Sequence, residues 1–351
     1  MARILYTING EGLGHATRSR YLIEQLQQRH TISLAAGFRA YHYYKKLGLP
    51  VFRIYCSRIL YRGPSVRVLD TLVRNVFTFL LYGWISLISL WIYALRFKPD
   101  IIISDYEQLG LLVAKMMSIP SINVDNQSTI TRCTYALPRQ YALRRNIVAL
   151  ANYNMTWPAT YFCATSFIPF PVKPEYKHNT FVVPILLRKE ILGKKPLPGK
   201  HILVYQTSHT FDMIAPLLKC IPERFIVYPS PRESIDGNLH FKRFSETAFV
   251  KDLRASKAVI TNGGFSLISE ALYLHKPVYS VPVRRQYEQI FNAIQVQRAG
   301  YGEHHDTLTV ASLKSFLRNA PKYERNLRRF TKAGNEELLK IIDALIKKSV
   351  R

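Results

Sequence analysis

Acidic residues are scarce in this sequence of 351 residues. It contains 23 Asp and Glu against 49 Lys and Arg, which leaves a formal net charge of +26. Both halves of the chain share the excess, so no basic tail accounts for it. A field of this sign attracts polyanions. The candidate partners are therefore nucleic acid, anionic lipid headgroups and phosphorylated substrates, beside the alternative of a surface that is basic only for solubility.

Cysteine is also scarce, and its four copies are scattered: Cys56, Cys133, Cys163 and Cys220. They form no C-x-x-C pair and have no histidine at ligand spacing, which argues against a zinc site and against a disulfide framework. A reducing, cytosolic compartment is expected. The sequence begins directly with a strand-like run and not with a charged leader, so secretion is not expected.

Short apolar runs alternate with helix-like stretches along the chain, which is typical of parallel sheets with crossover helices. The alternation restarts after a passage with six prolines. We therefore predict an α/β fold of two Rossmann-like parallel-sheet domains that face each other across a cleft. The predicted parts are an N-terminal domain over 1–168, a linker over 169–199, a C-terminal domain over 200–320 and basic helices over 321–351. The predicted strands are Ile4–Ile8, Thr31–Ala35, Ile101–Ser104, Ser121–Val124, His201–Tyr205, Arg224–Val227, Ala258–Thr261 and Pro277–Val281.

An uncharged run of about twenty residues, 75–95, is closed by arginines on both sides. It is long enough to span a bilayer, but it lies inside the first domain, and a span would divide one sheet. Two interpretations remain: a helix buried within the domain, or a helix at the membrane interface with aromatic residues at headgroup depth. The second is favoured because arginines and aromatic residues are interleaved upstream and again over 132–145. We expect residues 53–96 to face an anionic membrane.

A glycine-rich turn follows the first predicted strand and leads into a helix, in the segment Asn9–Arg18. Such a turn lets the backbone approach a ligand closely at a helix N-terminus. The segment lacks the spacing of a dinucleotide fingerprint and the ending of a P-loop, which disfavours NAD and a P-loop nucleotide site. His15 at the mouth of the turn is a candidate general base. The alternative is a histidine that caps the helix or hydrogen-bonds in the core.

The second domain carries a sharper pattern: ITNGGFSLISEAL over 260–272 and YEQIFNA over 287–293. Together with the N-terminal turn, the segment that ends at Asp105 and the proline linker, it resembles the GT-B glycosyltransferases. It is similar to the N-acetylglucosaminyltransferase of peptidoglycan synthesis and to the glucuronosyltransferase-like group. The pieces occur in the family's order over nearly the whole chain. The resemblance implies a GT-B fold and the transfer of a sugar from a UDP-sugar to an acceptor hydroxyl.

The donor motif has a physical interpretation. Gly263 and Gly264 leave room for a diphosphate at a helix N-terminus, whose free N–H groups and dipole favour the negative charge of departing UDP. No metal is then needed, and the sequence has no Asp-x-Asp pair to hold one. Ser266 adds a hydroxyl, and the resemblance assigns the ribose hydroxyls to Glu270. It also assigns Glu288 and Gln289 to the sugar, Phe249 and Val250 to uracil, Ser208 to a phosphate, and Gly12 and Gly14 to the donor; the donor sugar stays open.

An inverting transfer needs a base for the acceptor hydroxyl, a contribution of about 10²–10⁴ in rate. We assign this role to His15. Asp105 is predicted to hold the other ring nitrogen and to raise its basicity, as in similar plant-type transferases. The alternative for Asp105 is a helix cap, in which case Glu107 or Glu11 is the next candidate.

Two other functions stay open. A UDP-sugar 2-epimerase has the same fold, but it needs several acids around the sugar, and the first domain is poor in acids. A nucleic-acid-binding protein fits the charge, but no recognition motif accompanies that charge. We therefore expect no nucleic-acid partner. The expected protein is a glycosyltransferase bound peripherally to the inner face of the cell membrane, with a lipid or lipid-linked acceptor.

Overall fold

The computed structural model describes residues 1–63, 65–206, 211–330 and 333–349. The strands are β1 Arg3–Ile8, β2 Thr31–Gly37, β3 Val51–Ile54, β4 Tyr61–Arg62, β5 Ser65–Val66, β6 Ile101–Asp105, β7 Ser121–Asp125, β8 Tyr161–Thr165, β9 Thr180–Val183, β10 His201–Tyr205, β11 Phe225–Tyr228, β12 Ser234–Asp236, β13 Leu239–Phe241, β14 Ser256–Thr261, β15 Val278–Ser280 and β16 Gly302–His304. The helices are α1 Leu13–Gln27, α2 Phe38–Lys46, α3 Val68–Thr78, α4 Trp84–Phe97, α5 Gln108–Met116, α6 Ser128–Arg132, α7 Ala142–Thr156, α8 Phe211–Lys219, α9 Glu246–Arg254, α10 Phe265–Tyr273, α11 Tyr287–Arg298, α12 Val310–Leu327 and α13 Asn335–Ser349. All eight predicted strands are present, each within two residues of its predicted ends.

The chain divides into two compact units. The first consists of Met1–Leu60, Val68–Lys189 and Ala333–Arg351, and the second of Tyr61–Arg67 and Glu190–Lys332. The last helix, α13, returns to the first unit because its apolar face is buried in that unit's core, through residues such as Leu338 and Ile342. Asn335 at its start exchanges two hydrogen bonds with the backbone of Leu187, at 3.1 and 2.8 Å.

The first unit is built on a seven-stranded parallel sheet in the order β3-β2-β1-β6-β7-β8-β9. Its inner strands are continuous apolar runs because helices cover both faces of a parallel sheet. The strand order reverses between β1 and β6, where Ile8 and Asp105 are paired. Ligands bind outside the carboxyl ends of strands at such a switch point. The turn after β1 and the end of β6 therefore form the expected site of this unit.

The second unit repeats the arrangement in the order β12-β13-β11-β10-β14-β15-β16, with only β12 antiparallel among its described strands. The order reverses between β10 and β14, where Tyr205 pairs with Thr261. The glycine pair of the donor motif follows β14 directly. The fold thus brings this motif to the switch point of the second sheet.

The uncharged run belongs to a helix of 30 residues, Val68–Phe97, in which α3, a π-helical turn over Phe79–Gly83 and α4 follow one another. Within the described residues it is the one helix that is long and apolar enough to cross a membrane. One face of α4 is buried against α5 and the sheet through Leu87, Leu90 and Ala94. The remaining surface is largely exposed, so the helix is not buried on all sides. The exposed side chains include Leu69, Phe77, Leu81, Trp84, Ile85 and Ile88.

A second helix, α7, also exposes large apolar side chains at helical spacing. Its charged residues are Arg144 and Arg145, and it carries no acid over 142–156. α5 packs between the two exposed helices, in contact with α4 and with α7. The first unit therefore carries two helices with exposed apolar side chains and arginines, and both of them contact α5. The exposed apolar residues on and directly after α7 are Leu143, Ile147, Leu150, Tyr153 and Trp157.

Candidate active site

The turn between β1 and α1 is packed so closely that only glycine fits at one position. A Cβ atom at Gly10 would overlap the backbone oxygen of Gly37. Gly12 is the N-cap residue of α1, where an added Cβ would meet open space among the described residues, and Gly14 is the second helical residue. The turn therefore leaves the start of α1 accessible, as a ligand-binding helix N-terminus requires.

His15 lies in the first turn of α1, and its imidazole meets the carboxylate of Asp105. Nδ1 of His15 is 2.7 Å from Oδ1 of Asp105, and the two side chains are 17% and 0% exposed. A carboxylate accepts this hydrogen bond from Nδ1–H, which leaves Nε2 with a lone pair. The structure thus brings together the two residues proposed as a base and its partner.

Arg18, the last residue of the Asn9–Arg18 segment, and Ser19 directly after it also hold Asp105, although the sequence analysis gave neither of them a role. Nε of Arg18 lies 3.0 Å from Oδ2, its Nη2 donates to Oδ1, and the Ser19 hydroxyl donates to Oδ2 at 2.6 Å. Burial alone would raise the pKa of Asp105, but the charges and hydrogen bonds of Arg18 and His15 hold it well below its usual value. The helical spacing was the signal that could have found them, since positions 15, 18 and 19 share one helix face.

Tyr106 follows Asp105 and has a backbone φ of +52°, which is uncommon for a bulky residue. Its ring stacks on the imidazole of His15 at a centroid distance of 6.2 Å and an interplanar angle of 16°. Its hydroxyl donates a hydrogen bond of 2.7 Å to the Asn152 side chain on α7. Strained backbone conformations cluster at functional sites because surrounding structure must hold them. Tyr106 supports the imidazole from a second side.

The helix cap considered for Asp105 is made by Glu107. Both carboxylate oxygens of Glu107 accept hydrogen bonds from the start of α5, from Leu109 N at 2.8 Å and from Gly110 N at 2.7 Å. Burial raises the pKa of Glu107 to about 7, against the opposing effect of these bonds. Glu11 is half-buried and accepts a bond of 3.2 Å from Ile59 N, and burial raises its pKa as well. Among these acids, Asp105 is the one that touches His15.

A cavity opens beside this turn and is part of the first unit. It is a small recess, partly open to solvent, with a volume of about 10 Å³, and its polar lining includes Asn9, Ser57 and Glu107. Its apolar lining includes Phe79 of the π-helical turn and Met155 of α7. The cavity therefore connects the β1–α1 turn with the two exposed apolar helices.

In the second unit, the loop after β14 holds Gly263 in a conformation that favours glycine. Its φ is +93°, and an added Cβ would lie 2.8 Å from the backbone oxygen of Gln289. The side-chain amide of Asn292 donates to the Gly263 carbonyl at 3.1 Å. Asn292 of α11 thus fixes this turn. Gly264 is the N-cap of α10, and an added Cβ there would meet open space among the described residues.

The polar residues of the donor motif lie on the helices that follow these turns. Ser266 is half-buried in the first turn of α10, and Glu270 is one turn further on the same helix face and 2% exposed. Glu288 is half-buried in the first turn of α11. The Gln289 side-chain oxygen accepts a hydrogen bond of 2.9 Å from Val283 N, so this amide braces the loop before α11.

Phe249 and Val250 lie in α9 and are buried. The Phe249 ring packs against Tyr205, Tyr228 and Phe244, and its N–H donates to Ser245 O at 2.8 Å within the helix. The side chain thus belongs to an aromatic cluster beside the carboxyl ends of β10 and β11. Ser208 lies outside the described residues.

Known proteins match this chain over most of its length. A family model described as glycosyl transferase family 1 matches residues 2–321. An uncharacterized glycosyltransferase of Methanosarcina acetivorans is 25% identical over 330 residues, which cover 86% of this chain and 84% of the relative. A UDP-N-acetylglucosamine–N-acetylmuramyl-(pentapeptide) pyrophosphoryl-undecaprenol N-acetylglucosamine transferase of Bacillus cereus is 25% identical over 230 residues, covering 56% and 64% of the two chains.

The solved structure of Phytolacca americana UGT2, complexed with UDP-2-fluoroglucose and pterostilbene, is similar with a TM-score of 0.67 at 12% identity. The alignment covers 99% of this chain and 100% of the Phytolacca americana chain. Such likenesses confirm the predicted GT-B fold with its two Rossmann-like sheets. The family model covers far more than half of the chain. This chain therefore belongs to glycosyl transferase family 1 and is a glycosyltransferase of the GT-B fold.

Proposed function

We propose that this glycosyltransferase moves a sugar from a UDP-sugar to a hydroxyl of a lipid or lipid-linked acceptor, with inversion and without a metal ion. The reaction takes place at the inner face of the cell membrane, to which the protein binds peripherally. The observation that carries the chemistry is the contact of 2.7 Å between His15 and Asp105 at the switch point of the first sheet.

In this mechanism His15 is the general base. Asp105 holds Nδ1–H, so Nε2 takes the proton of the acceptor hydroxyl as its oxygen attacks the anomeric carbon. The bond from that carbon to the UDP oxygen breaks as the new glycosidic bond forms on the opposite face of the sugar. Inversion follows from this single displacement.

For the donor, we assign the diphosphate to the N-terminus of α10. Gly264 leaves space there, Gly263 turns the chain into α10, and the N-terminus of a helix favours an anion. Partial positive charge at the helix start favours departing UDP without a metal. Ser266 adds a hydroxyl, Glu270 takes the ribose hydroxyls, and Glu288 with Gln289 takes the sugar. The UDP-N-acetylglucosamine in the name of the Bacillus cereus relative supports the choice of nucleotide.

For the acceptor, the two exposed helices support a lipid partner. The outer faces of Val68–Phe97 and α7 are apolar, with arginines and few acids, a combination that binds anionic membrane surfaces. Large exposed apolar patches mark interaction sites. Phe79 of the long helix and Met155 of α7 line the recess beside the β1–α1 turn, so the apolar surface extends to the turn that leads to His15. The relative's pyrophosphoryl-undecaprenol acceptor is of the same class.

The decisive experiment measures nucleotide release from a panel of nucleotide sugars, with and without a total lipid extract. We expect release of UDP from one UDP-sugar, dependent on lipid and unchanged by EDTA, and a product with inverted anomeric configuration by NMR. Glu270→Ala should weaken UDP binding, while Glu233→Ala, at an exposed glutamate of the same unit, should not.

Three results would contradict the proposal. Conversion of a UDP-sugar into its 2-epimer, with no acceptor and no net release of UDP, would favour a 2-epimerase. Loss of release in EDTA would contradict the metal-free donor site. Release with water-soluble acceptors but with no lipid fraction would contradict the lipid acceptor while leaving sugar transfer intact.

A further inference from the structure

Arg18 is a buried cation at the centre of the candidate site. Its residue is 3% exposed, and its guanidinium contacts both oxygens of Asp105. Nη2 also lies 3.0 Å from Nδ1 of His15. Removing a charge from water is costly unless that charge is paired and hydrogen-bonded. The bidentate contact meets this requirement and fixes the orientation of the carboxylate.

The pairing changes what Asp105 supplies to His15. A carboxylate alone beside an imidazole stabilises the protonated ring and makes it more basic. Here Nη2 of Arg18 lies 3.0 Å from Nδ1 of the ring, against 2.7 Å for the carboxylate oxygen, so the positive charge offsets that of the carboxylate. The imidazole therefore faces a nearly neutral pair. The carboxylate still orients the ring, but it does not act on the ring as an isolated negative charge.

We propose that Arg18 is a positioning residue for the sugar transfer: it locks Asp105 so that Nδ1–H of His15 is held, and its positive charge offsets the negative charge of that carboxylate beside the ring. The inference rests on the proposed role of His15 as base. It departs from the simple pair predicted by resemblance, in which Asp105 raises the basicity of the histidine.

Other charged groups surround this trio. Glu11 lies on the turn before α1, with Arg39 and Arg58 close to it. Asp125 faces Arg18 from the end of β7, and burial raises the pKa of Asp125. Variants at Arg18 and Asp105 leave these groups in place. A change in the titration of His15 in such variants can therefore be assigned to the pair that was altered.

The test follows the imidazole directly by NMR of histidine-labelled full-length protein, with His15→Gln used to assign the signal. Arg18→Met removes the charge at similar length, and Arg18→Lys retains it. Because a unit charge at this distance is worth several kcal/mol even with strong screening, we expect Met to raise the titration midpoint of His15 by at least about one pH unit. Lys should leave it nearly unchanged. The acid limb of the kcat/KM profile should move with the midpoint.

Arg18→Met leaves a buried carboxylate without its counter-charge, so this variant can fail to fold. A second pair contains no buried Asp105 carboxylate: Asp105→Asn, in which Asp125 still faces the Arg18 cation, and the double variant Arg18→Met/Asp105→Asn, in which both charges are removed. In the single variant the cation remains beside the imidazole, so its His15 midpoint should lie at least about one pH unit below that of the double variant.

Equal midpoints in both comparisons would overturn the inference and leave Arg18 as a structural residue. The titration needs no substrate, so it measures the effect of Arg18 on His15 even if no donor or acceptor supports turnover. A lack of turnover with every donor and acceptor would contradict the proposed function and not this inference. Transfer activity with an unchanged acid limb in Arg18→Met would overturn the inference alone.

Discussion

The backbone oxygen of Gln289 occupies the space that a side chain on Gly263 would need, at 2.8 Å from an ideal Cβ. The first turn of α11 and the glycine turn before α10 are thus locked together, and the Asn292 amide closes the same contact at 3.1 Å. Two helices that carry the assigned donor residues are held in one arrangement by a single glycine. The contact explains why the glycine pair and the Glu288–Gln289 pair belong to one motif.

Gly263→Ala and Gly264→Ala should therefore differ in kind. Alanine at position 263 combines a positive φ with a backbone overlap, so we expect a loss of about 1–3 kcal/mol in the free energy of unfolding. At position 264, φ is −65° and ψ is 130°, which alanine adopts freely, so stability should change by less than about 0.5 kcal/mol. UDP affinity of Gly264→Ala should nevertheless fall about tenfold, since its methyl group enters the proposed phosphate space. Denaturant unfolding measures the change in stability, and calorimetry measures the UDP affinity. If Gly264→Ala binds UDP with the affinity of the wild type, the proposed donor site is contradicted.

His15→Ala should abolish turnover without affecting donor binding. Loss of a general base lowers kcat by about 10²–10⁴, whereas the residues assigned to UDP lie in the second unit. His42→Ala, at an exposed histidine on the neighbouring α2, is the matched control and should retain activity. The measurement is kcat by UDP release together with UDP affinity by calorimetry. A decrease in kcat of less than about threefold in His15→Ala would rule out this base.

The core strands could be predicted because burial on both sides requires continuous apolar runs, and β1, β6 and β14 are such runs. The edge strands were not predicted. Ser234–Asp236 and Gly302–His304 are short and largely polar, and they are strands only because a neighbouring strand pairs with them. Their formation depends on tertiary contacts that leave no period in the sequence.

The candidate site was partly predictable for a related reason. His15 and Asp105 follow from residue type and from their positions at strand ends, and the structure brings them into contact. Arg18 appears in the same motif, but a basic residue on a helix is usually solvated, and its burial against Asp105 depends on how α1 lies over the sheet. Glu107 likewise has two possible roles until the start of α5 is known. A charged residue's partner is set by packing, which a single sequence does not reveal.

Membrane binding should depend on the outer face of the long helix. The double variant Ile85→Ser/Ile88→Ser removes two side chains that are 63% and 49% exposed, and it should lower co-sedimentation with anionic vesicles about tenfold because less apolar area enters the membrane. Ile235→Ser is the matched control, since Ile235 is 70% exposed but lies on β12 of the second unit. Binding should also weaken with salt and with neutral lipid. Equal losses in both variants, or none in either, would contradict this membrane face.

Glu107 should make the stability of the first unit depend on pH. Burial raises its pKa to about 7 in the folded protein from 4.5, so the folded state binds more protons between these values. The contribution of Glu107 to the free energy of unfolding should therefore be fully present below about pH 4.5. It should decrease by an amount on the order of 3 kcal/mol as the pH rises to about 7. Glu107→Gln cannot ionise, keeps an oxygen for the α5 cap, and should remove this slope. Denaturant unfolding between pH 5 and 8 measures it, with Glu233→Gln as an exposed control that keeps the wild-type slope. If Glu107→Gln retains the wild-type slope as well, the carboxylate ionises in the folded state as freely as in the unfolded chain, and its two backbone hydrogen bonds outweigh its burial.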